Sequence, residues 1–229
     1  MSRNLELVSE IVDANLAKPV SDLESFCAKT AKLLLKKHDY ATFSEVKAEA
    51  EYFLDRVYPS GKKGLEPYKL VAEARVKSNG EVKKLIGVKV VGMTACPCAM
   101  ETVRKIGGYK ETSITPTHNQ RNITTLMIEV PGEDRSVDAN DLIDIVENAF
   151  SSPTYSILKR SEEAKLVFDA HKKPKFVEDV VRDILSALLK KYKKLPDDVI
   201  VIVRSESEES IHKHNAFAER VTTLGELRR

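Results

Sequence analysis

The stretch LVAEARVKSNGEVKKLIGVKV, residues 70–90, carries the clearest structural signal in the chain. Apolar side chains recur at every second position before Asn79-Gly80 and again after it. A period of two is typical of a strand with one buried face. Asn-Gly is a strong signal for a tight turn in which both residues take positive φ angles. The stretch therefore predicts two antiparallel strands joined by a turn at Asn79 and Gly80.

Two helices and one further strand are predicted before this hairpin. Apolar residues at spacings of three and four predict amphipathic helices over Asn4 to Leu16 and over about Ser21 to Lys37. Between Ser44 and Tyr52 the period changes to two, which predicts a half-buried strand despite its Ala and Glu residues. The Pro, Gly and Lys residues from Tyr58 to Pro67 predict a loop.

The second half of the chain repeats this mixture of strands and helices. The predicted elements are a strand over Ile123 to Val130, helices over Ala139 to Phe150, after Ser161 and over Phe176 to Tyr192, and a strand over Val199 to Val203. Two units of antiparallel sheet with paired helices account for this order. We therefore expect an α+β fold with domains at residues 1–95 and 96–229.

Composition places the chain among ordinary globular proteins. It has 229 residues, of which 42% are hydrophobic and 31% charged, so disorder throughout is excluded. Lys and Arg number 37 against 35 Asp and Glu, and a net charge of +2 gives no global attraction to nucleic acid. No run approaches the roughly 20 apolar residues of a membrane helix, and the N-terminus lacks a secretory signal pattern. We expect a cytoplasmic protein whose partners include neither nucleic acid nor membrane.

Two of the three cysteines are separated by a single residue, in Cys96-Pro97-Cys98. This spacing is too short for both sulfurs to chelate one tetrahedral ion easily, so we expect Cys96 to bind a metal and Cys98 to act beside it. A helix predicted over Ala99 to Ile106 would favour a thiolate at its N-terminus. Two ordinary cysteines in a turn are the alternative. Cys27 lies on an apolar helix face and is predicted to be a small buried residue.

Three of the five histidines lie in polar settings. His118 directly precedes a predicted strand, and His212 and His214 are two residues apart, which places them on one face of an extended segment. Together with Cys96, these imidazoles suit a transition metal such as zinc or iron. Residues 205–210 look too acidic for a regular strand. Solvated loop histidines and a charged surface loop are the alternatives.

Two carboxylate sites, the pair Glu162-Glu163 and Glu178, lie near the starts of predicted helices. An acidic residue at that position ordinarily complements the helix dipole. From the residue pattern alone, neither is expected to bind metal or to act as a base.

Five motifs together resemble those of a known family. They are GMTACPCA (92–99), THNQR (117–121), YSILKRSEE (155–163), KFVEDVVRDIL (175–185) and ESIHKHNAFA (209–218). In order and approximate spacing they resemble the type IB GTP cyclohydrolases, in particular the archaeal MptA-like branch (GTP cyclohydrolase IV). The combination of Cys-Pro-Cys, His-Asn-Gln-Arg and Ser-Ile-His-x-His is specific, because unrelated proteins would rarely contain all three in that order.

The resemblance implies a tunnelling fold of two fused units that assembles as a homo-oligomer, a dimer or a tetramer. It implies one divalent metal per site, with Fe²⁺ favoured and Zn²⁺ or Mn²⁺ as alternatives. The positions that match metal-binding residues are Cys96, Glu163 and His212, with His118 close to the metal. In that family, a metal-activated water attacks the guanine ring of GTP, and the ring opens with release of formate.

Further roles follow from the same resemblance. Glu209 matches the carboxylate that anchors the guanine base, and basic residues would hold the triphosphate. The basic residues are Arg121, Lys159 and Arg160. The expected catalytic positions are Cys98, His118, Glu178 and His214. The product is a dihydroneopterin cyclic phosphate in the archaeal branch and dihydroneopterin triphosphate in bacterial relatives, and the sequence alone does not choose between them.

One departure from the family pattern leaves other functions open. Family members carry several dozen further residues before the segment that resembles Met1-Ser2-Arg3, so we expect the first unit to lack its opening hairpin. An inactive paralogue that serves as a binding or assembly module is one alternative. A tunnelling-fold enzyme that acts on another purine or pterin is the other.

Overall fold

The computed structural model describes residues 9–10, 13, 22–38, 40–132 and 137–229. Its strands are β1 (Phe43–Val57), β2 (Lys63–Lys77), β3 (Val82–Ala95), β4 (Asn119–Glu129), β5 (Ser152–Pro153), β6 (Ile200–Glu208) and β7 (Ala216–Thr223). All pair antiparallel in one sheet of order β1-β2-β3-β4-β6-β7, with the short β5 on β3. The chain thus has a mixed α/β fold built on an antiparallel sheet.

Six helices are described. They are α1 (Leu23–Lys37), α2 (Pro97–Ile106), α3 (Ala139–Ala149), α4 (Arg160–Lys172), α5 (Val177–Lys191) and α6 (Leu224–Arg228). The helix predicted over Asn4 to Leu16 falls largely outside the described residues. None of the helices that the structure describes combines the length and apolar character needed to cross a bilayer.

The predicted hairpin is present, but its turn differs from the prediction. Gly80 has φ +90°, whereas no non-glycine residue among those described has a positive φ, so the positive φ predicted for Asn79 is wrong. The Lys77 N–H donates to the Glu81 carbonyl, which closes a three-residue loop. The Asn79 Oδ1 accepts from the Glu81 N–H at 3.0 Å, so this side chain closes the turn.

Strands β2 and β6 are longer than predicted. The predicted loop over Tyr58 to Pro67 is wrong beyond residue 62, because β2 already begins at Lys63. The expectation that residues 205–210 are too acidic for a strand is wrong for residues 205–208, since β6 continues to Glu208. Ser205 and Ser207 point into the protein at 0% and 1% exposure, while Glu206 and Glu208 point outward. A period of two thus lets one strand carry several charges.

Two apolar clusters fill the space between the helices and the sheet. The smaller joins α1 to β1 and β2, and its buried members are Cys27, Ala28, Ala72 and Ala74. The larger joins α3 and α5 mainly to β3, β4 and β6, and includes Val88, Leu126, Ile143, Ile184 and Val203. Cys27 is 0% exposed, which confirms its predicted burial. Strand β3 packs against helices of both halves, since α1 and α3 both contact it. The division at residues 95 and 96 stays a prediction.

Candidate active site

Most of the predicted site residues lie at one edge of the sheet, where β3 and β6 end and β4 and β7 begin. The Cys96 N–H donates to the His118 carbonyl at 3.0 Å, which extends the β3–β4 pairing by one step. The β4–β6 register pairs Arg121 with Glu208, and this brings Glu209 next to the start of β4. Antiparallel pairing therefore gathers residues that are far apart in sequence.

Two helices begin beside this edge. Cys96 is the N-cap of α2, and its sulfur accepts from the Ala99 N–H at 3.5 Å. The Cys96 carbonyl accepts from the Thr117 hydroxyl at 2.7 Å, which ties the helix start to the segment before β4. The Lys175 N–H donates to the Ala95 carbonyl at 2.9 Å and fixes the start of α5 against the end of β3. Both helix N-termini, with their partial positive charge, therefore lie at the site.

A cavity of about 530 Å³ opens at this edge. It is lined by seven of the predicted site residues, namely Cys96, Cys98, His118, Glu178, Glu209, His212 and His214. The cavity thus contains thiols, imidazoles and carboxylates, which are groups able to bind metal, transfer protons and recognise N–H donors.

Hydrogen bonds connect three side chains in the cavity wall. His118 Nδ1 lies 3.0 Å from Gln120 Oε1, and Gln120 Nε2 donates to Glu209 Oε1 at 3.3 Å. The side chains of His118 and Glu209 are only 12% and 11% exposed. His212 and His214 stack with ring centroids 5.4 Å apart, and the His118 and His212 rings meet edge to face at 6.3 Å. Three imidazoles therefore form one continuous row.

Four predicted residues lie outside this cavity. Glu163, Lys159 and Arg160 are exposed at the start of α4. The other end of α4 reaches the site, because His171 Nε2 contacts the Thr117 carbonyl at 3.3 Å. Glu163 precedes that histidine by eight residues, which is about 12 Å along a helix axis. Glu163 therefore lies far along α4 from the end that contacts Thr117, and it is not among the residues that line the cavity.

Arg121, the fourth of these residues, lies on the opposite face of β4 from Gln120. It lines a second, smaller cavity of about 200 Å³ together with Glu66, Glu147 and Tyr155. The two acidic side chains of this cavity already have partners. Glu66 accepts from Ser156, and Glu147 accepts from a tyrosine hydroxyl.

Among the residues of the main cavity that were not predicted, Gln120 and Lys175 carry the groups most relevant to its chemistry. Gln120 was quoted within a motif but given no role, although strand alternation alone places it on the same face as His118. Lys175 is the only Lys or Arg among the described residues that line the cavity, and its ammonium pairs with Asp183. Burial lowers the pKa of the neighbouring Lys173, and the positive charge of Lys175 lowers it further. Nothing in the local sequence indicates that Lys175 faces the cavity.

The donor types in the cavity suit a divalent transition metal. Cys96, His118 and His212 offer a sulfur and two imidazole nitrogens, the ligands that iron and zinc accept in proteins. Within the described part of a single chain, no group of three or more His, Cys, Asp or Glu side chains is placed to hold an ion together. The side-chain types therefore suit a metal. To complete a site, these side chains would have to rearrange or a further ligand would have to join them.

Sequence comparison assigns the chain to a family. The family described as type I GTP cyclohydrolase folE2 matches residues 1–218. The chain belongs to this family. A GTP cyclohydrolase MptA of Methanosphaera stadtmanae is 43% identical over 247 residues, which cover 100% of this chain and 79% of the relative. GTP cyclohydrolase MptA 1 of Methanocella arvoryzae is 41% identical over 245 residues, with 100% and 78% covered. The resemblance to the MptA-like branch is thereby confirmed.

Comparison with solved structures supports the fold. The crystal structure of uricase from Arthrobacter globiformis superposes with a TM-score of 0.54 over 94% of this chain and 75% of the uricase chain. The sequences are only 8% identical, so the likeness concerns the fold alone. A hyper-thermostable variant of uricase gives a TM-score of 0.51 at 9% identity, covering 94% of this chain and 74% of that one.

Proposed function

We propose that the chain is a GTP cyclohydrolase that opens the imidazole ring of the guanine base, releases formate and yields a dihydroneopterin phosphate for pterin biosynthesis. Membership of the folE2 family and the full-length MptA relatives support this activity. The single observation that carries it is the cavity that collects Cys96, His118, Glu209 and His212.

The cavity suits a purine base in size and chemistry. Its volume of about 530 Å³ lies within the range of roughly 300–1,000 Å³ that is typical of small-molecule sites. Phe176 and Ile211 supply apolar wall, and both are exposed enough to contact a ligand, at 45% and 61%. The carboxylate of Glu209 would accept from the N–H donors of guanine, in charge-assisted hydrogen bonds.

One divalent metal per site is part of the proposal, with Fe²⁺ favoured and Zn²⁺ or Mn²⁺ as alternatives. Cys96, His118 and His212 would hold it. When bound, such an ion makes a water nucleophilic near neutral pH, which is the chemistry needed at guanine C8.

The remaining polar side chains of the cavity would handle protons. Ring opening needs a proton at the leaving nitrogen, and release of formate needs proton transfers of its own. Cys98, Glu178 and His214 line the cavity and carry groups able to donate or accept protons. A positioned acid or base of this kind typically contributes about 10² to 10⁴ in rate.

The residues on α4 require another copy of the chain. Glu163, Lys159 and Arg160 do not line the cavity of their own chain, so we assign their roles as metal ligand and phosphate-binding residues to the cavity of a neighbouring subunit. We therefore propose a homo-oligomer, a dimer or a tetramer, built from chains of two fused units. Arg121 lies on the face of the sheet opposite the cavity, and it too would bind phosphate at the cavity of a neighbouring subunit.

Subunit mixing tests this arrangement. We expect Cys96→Ala and Glu163→Ala chains to be inactive separately, and to recover part of the activity when they are unfolded together and refolded as mixed oligomers. Each variant refolded alone is the control. No recovery in verified mixed oligomers would contradict a site shared between subunits.

The activity itself is tested with GTP. Protein loaded with Fe²⁺, Zn²⁺ or Mn²⁺ is incubated with GTP, and formate and pterin fluorescence are measured, with GMP and dihydroneopterin as alternative substrates. Mass spectrometry distinguishes a cyclic phosphate from a triphosphate product. Cys96→Ala is expected to abolish turnover, whereas Cys27→Ala removes a buried thiol remote from the cavity and should retain it. If metal-replete protein forms neither formate nor pterin, the proposal is wrong. A stable oligomer without stoichiometric metal would favour the assembly module.

A further inference from the structure

We propose that Gln120 is a positioning residue that fixes the tautomer of His118, with the proton on Nδ1 and the lone pair on Nε2. The inference concerns the same cavity and rests on the proposed function, because it specifies which nitrogen of His118 is available to a metal or a proton. It is nevertheless a statement about the metal-free protein and can be tested there.

The arrangement begins with strand geometry. Residues two apart on a strand share a face, so Gln120 lies beside His118 at the start of β4. Its backbone is held on both sides, since β4 pairs with β3 at Thr94 and with β6 from Arg121 onward. Gln120 is 8% exposed, so its amide has little access to solvent and depends on protein partners. The amide oxygen and the amide nitrogen each have a protein partner.

The carboxylate of Glu209 determines which way the amide points. An ionised carboxylate only accepts hydrogen bonds, so the group that faces Glu209 at 3.3 Å has to be the amide NH₂. The amide oxygen of Gln120 then faces His118 Nδ1 at 3.0 Å. The reversed amide would bring two acceptors together, which costs the full penalty of an unmade buried hydrogen bond.

The amide oxygen in turn determines the state of the imidazole. An oxygen acceptor 3.0 Å from Nδ1 requires a proton on Nδ1. In the neutral ring Nε2 then carries the lone pair, and among the described residues no side chain or carbonyl is hydrogen-bonded to it. The direct contact from Nδ1 to Glu209 is 3.8 Å, too long for a hydrogen bond, so the glutamine is the necessary link.

This assignment runs against the intrinsic preference of histidine, whose free neutral ring favours the proton on Nε2. The hydrogen bonds that link Glu209, Gln120 and His118 therefore reverse that preference. They leave the Nε2 of His118 available to a metal or a proton. Hydrogen bonding at one ring nitrogen generally sets the tautomer and raises the basicity of the other nitrogen.

Nitrogen NMR tests the assignment directly. Metal-free protein labelled with ¹⁵N-histidine is studied at about pH 8.5, two units above the ordinary histidine pKa of ~6.5. The couplings of the ring protons show which nitrogen is protonated, and the His118→Asn variant identifies the His118 signals among the five histidines. We expect His118 to carry its proton on Nδ1. A proton on Nε2 in the wild-type protein would overturn the inference.

Variants separate the role of Gln120 from general loss of structure. Gln120→Met removes the oxygen acceptor and is therefore expected to shift His118 toward the proton on Nε2. Thr124→Val is the matched control. Thr124 lies on the same face of β4 and its hydroxyl donates to Asn122, away from the three-residue chain. An unchanged tautomer in Gln120→Met, or an equal shift in Thr124→Val, would overturn the role of Gln120.

The outcome stays separate from that of the proposed function. If GTP is not turned over but His118 shows the Nδ1–H tautomer that Gln120→Met reverses, the inference holds and the enzymatic proposal fails. If GTP is turned over and the tautomer is the other one, the enzymatic proposal holds and the inference fails.

Discussion

Gly92, a glycine on β3, links the packing of the core to the position of Cys96. A Cβ atom at Gly92 would lie 2.0 Å from Cδ2 of Phe150 and 2.4 Å from its Cγ, far inside van der Waals contact. Phe150 is 1% exposed and belongs to the larger apolar cluster, so its ring has no free space to enter. Gly92→Ala therefore forces a core aromatic ring, or the strand itself, to move.

The expected cost follows from two opposing effects. Overpacking a well-filled core costs about 1–3 kcal/mol. Replacing a glycine by alanine returns about 0.4–1 kcal/mol by restricting the unfolded chain. Taken at the middle of both ranges, the net loss in the free energy of unfolding is about 1–2 kcal/mol. A chain of this size loses about 2–4 °C in Tm for each kcal/mol, so Tm should fall by about 2–8 °C.

The displacement should also reach the candidate site. Ser151 directly follows Phe150, and its hydroxyl accepts from the Ala95 N–H at 3.1 Å, one residue before Cys96. If the ring of Phe150 moves, this hydrogen bond is strained, so we expect weaker metal binding as well as lower stability.

Urea unfolding at fixed protein concentration measures the stability, since association would shift the midpoint. Phe150→Leu is combined with Gly92→Ala in a double-mutant cycle, and the smaller side chain should remove most of the cost of the alanine. Gly107→Ala is the matched control, because its Cβ would meet Tyr109, whose exposed ring can swing away. Wild-type stability of Gly92→Ala, or a cost that Phe150→Leu leaves unchanged, would refute the reasoning.

Three further predictions concern other parts of the fold. Hydrogen bonds from Ser60 and from the Lys159 N–H lower the pKa of Glu162, so its stabilisation is present above the ordinary glutamate pKa and lost as the pH falls through the lowered value. Glu162→Gln should reduce Tm at neutral pH, with the difference shrinking in acid, as measured by Tm against pH. Burial raises the pKa of Cys27 to about 11, so a thiol reagent at about pH 8 should modify the exposed Cys98 at once and Cys27 only after unfolding in urea. Tyr68→Phe removes a hydroxyl bonded to the partly buried Glu147 and to Arg56, and should cost about 1–3 kcal/mol in urea unfolding.

Local pattern was sufficient for most of the sheet and helices but not for the chain around residue 60. Residues 63–67, the second half of the predicted loop, are the start of β2, and Pro67 pairs with Phe53. At Gly64 the lack of a side chain makes room for the ring of Tyr58, since a Cβ there would lie 2.5 Å from the tyrosine oxygen. Glycine and proline thus serve a tertiary contact that sequence pattern does not reveal.

The candidate site shows the same division between local and long-range information. Individual residues were recognisable from motifs, but their meeting depends on strand register. Cys96 and His118 lie side by side because β3 and β4 pair, and Gln120 reaches Glu209 across 89 residues of sequence. No local pattern encodes that register. By contrast, the position of Gln120 beside His118 needed only strand alternation and could have been predicted.

Two adjacent glutamates on α4 show how far a motif can locate a function. Glu162 is 7% exposed, and its carboxylate is occupied by the N–H groups of Ser60 and Lys159, at 2.9 and 2.8 Å. Glu163 is exposed, and within the described part of the chain its carboxylate has no hydrogen bond or ion pair. The first carboxylate therefore holds the β1–β2 turn against its own helix. The second has no partner among the described residues and is free for one on another molecule. A motif that contains both residues cannot distinguish these roles, whereas their burial and partners do. For that reason the subunit-mixing experiment should be run with Glu163 and not with its neighbour, whose replacement would disturb the fold before it tested the site.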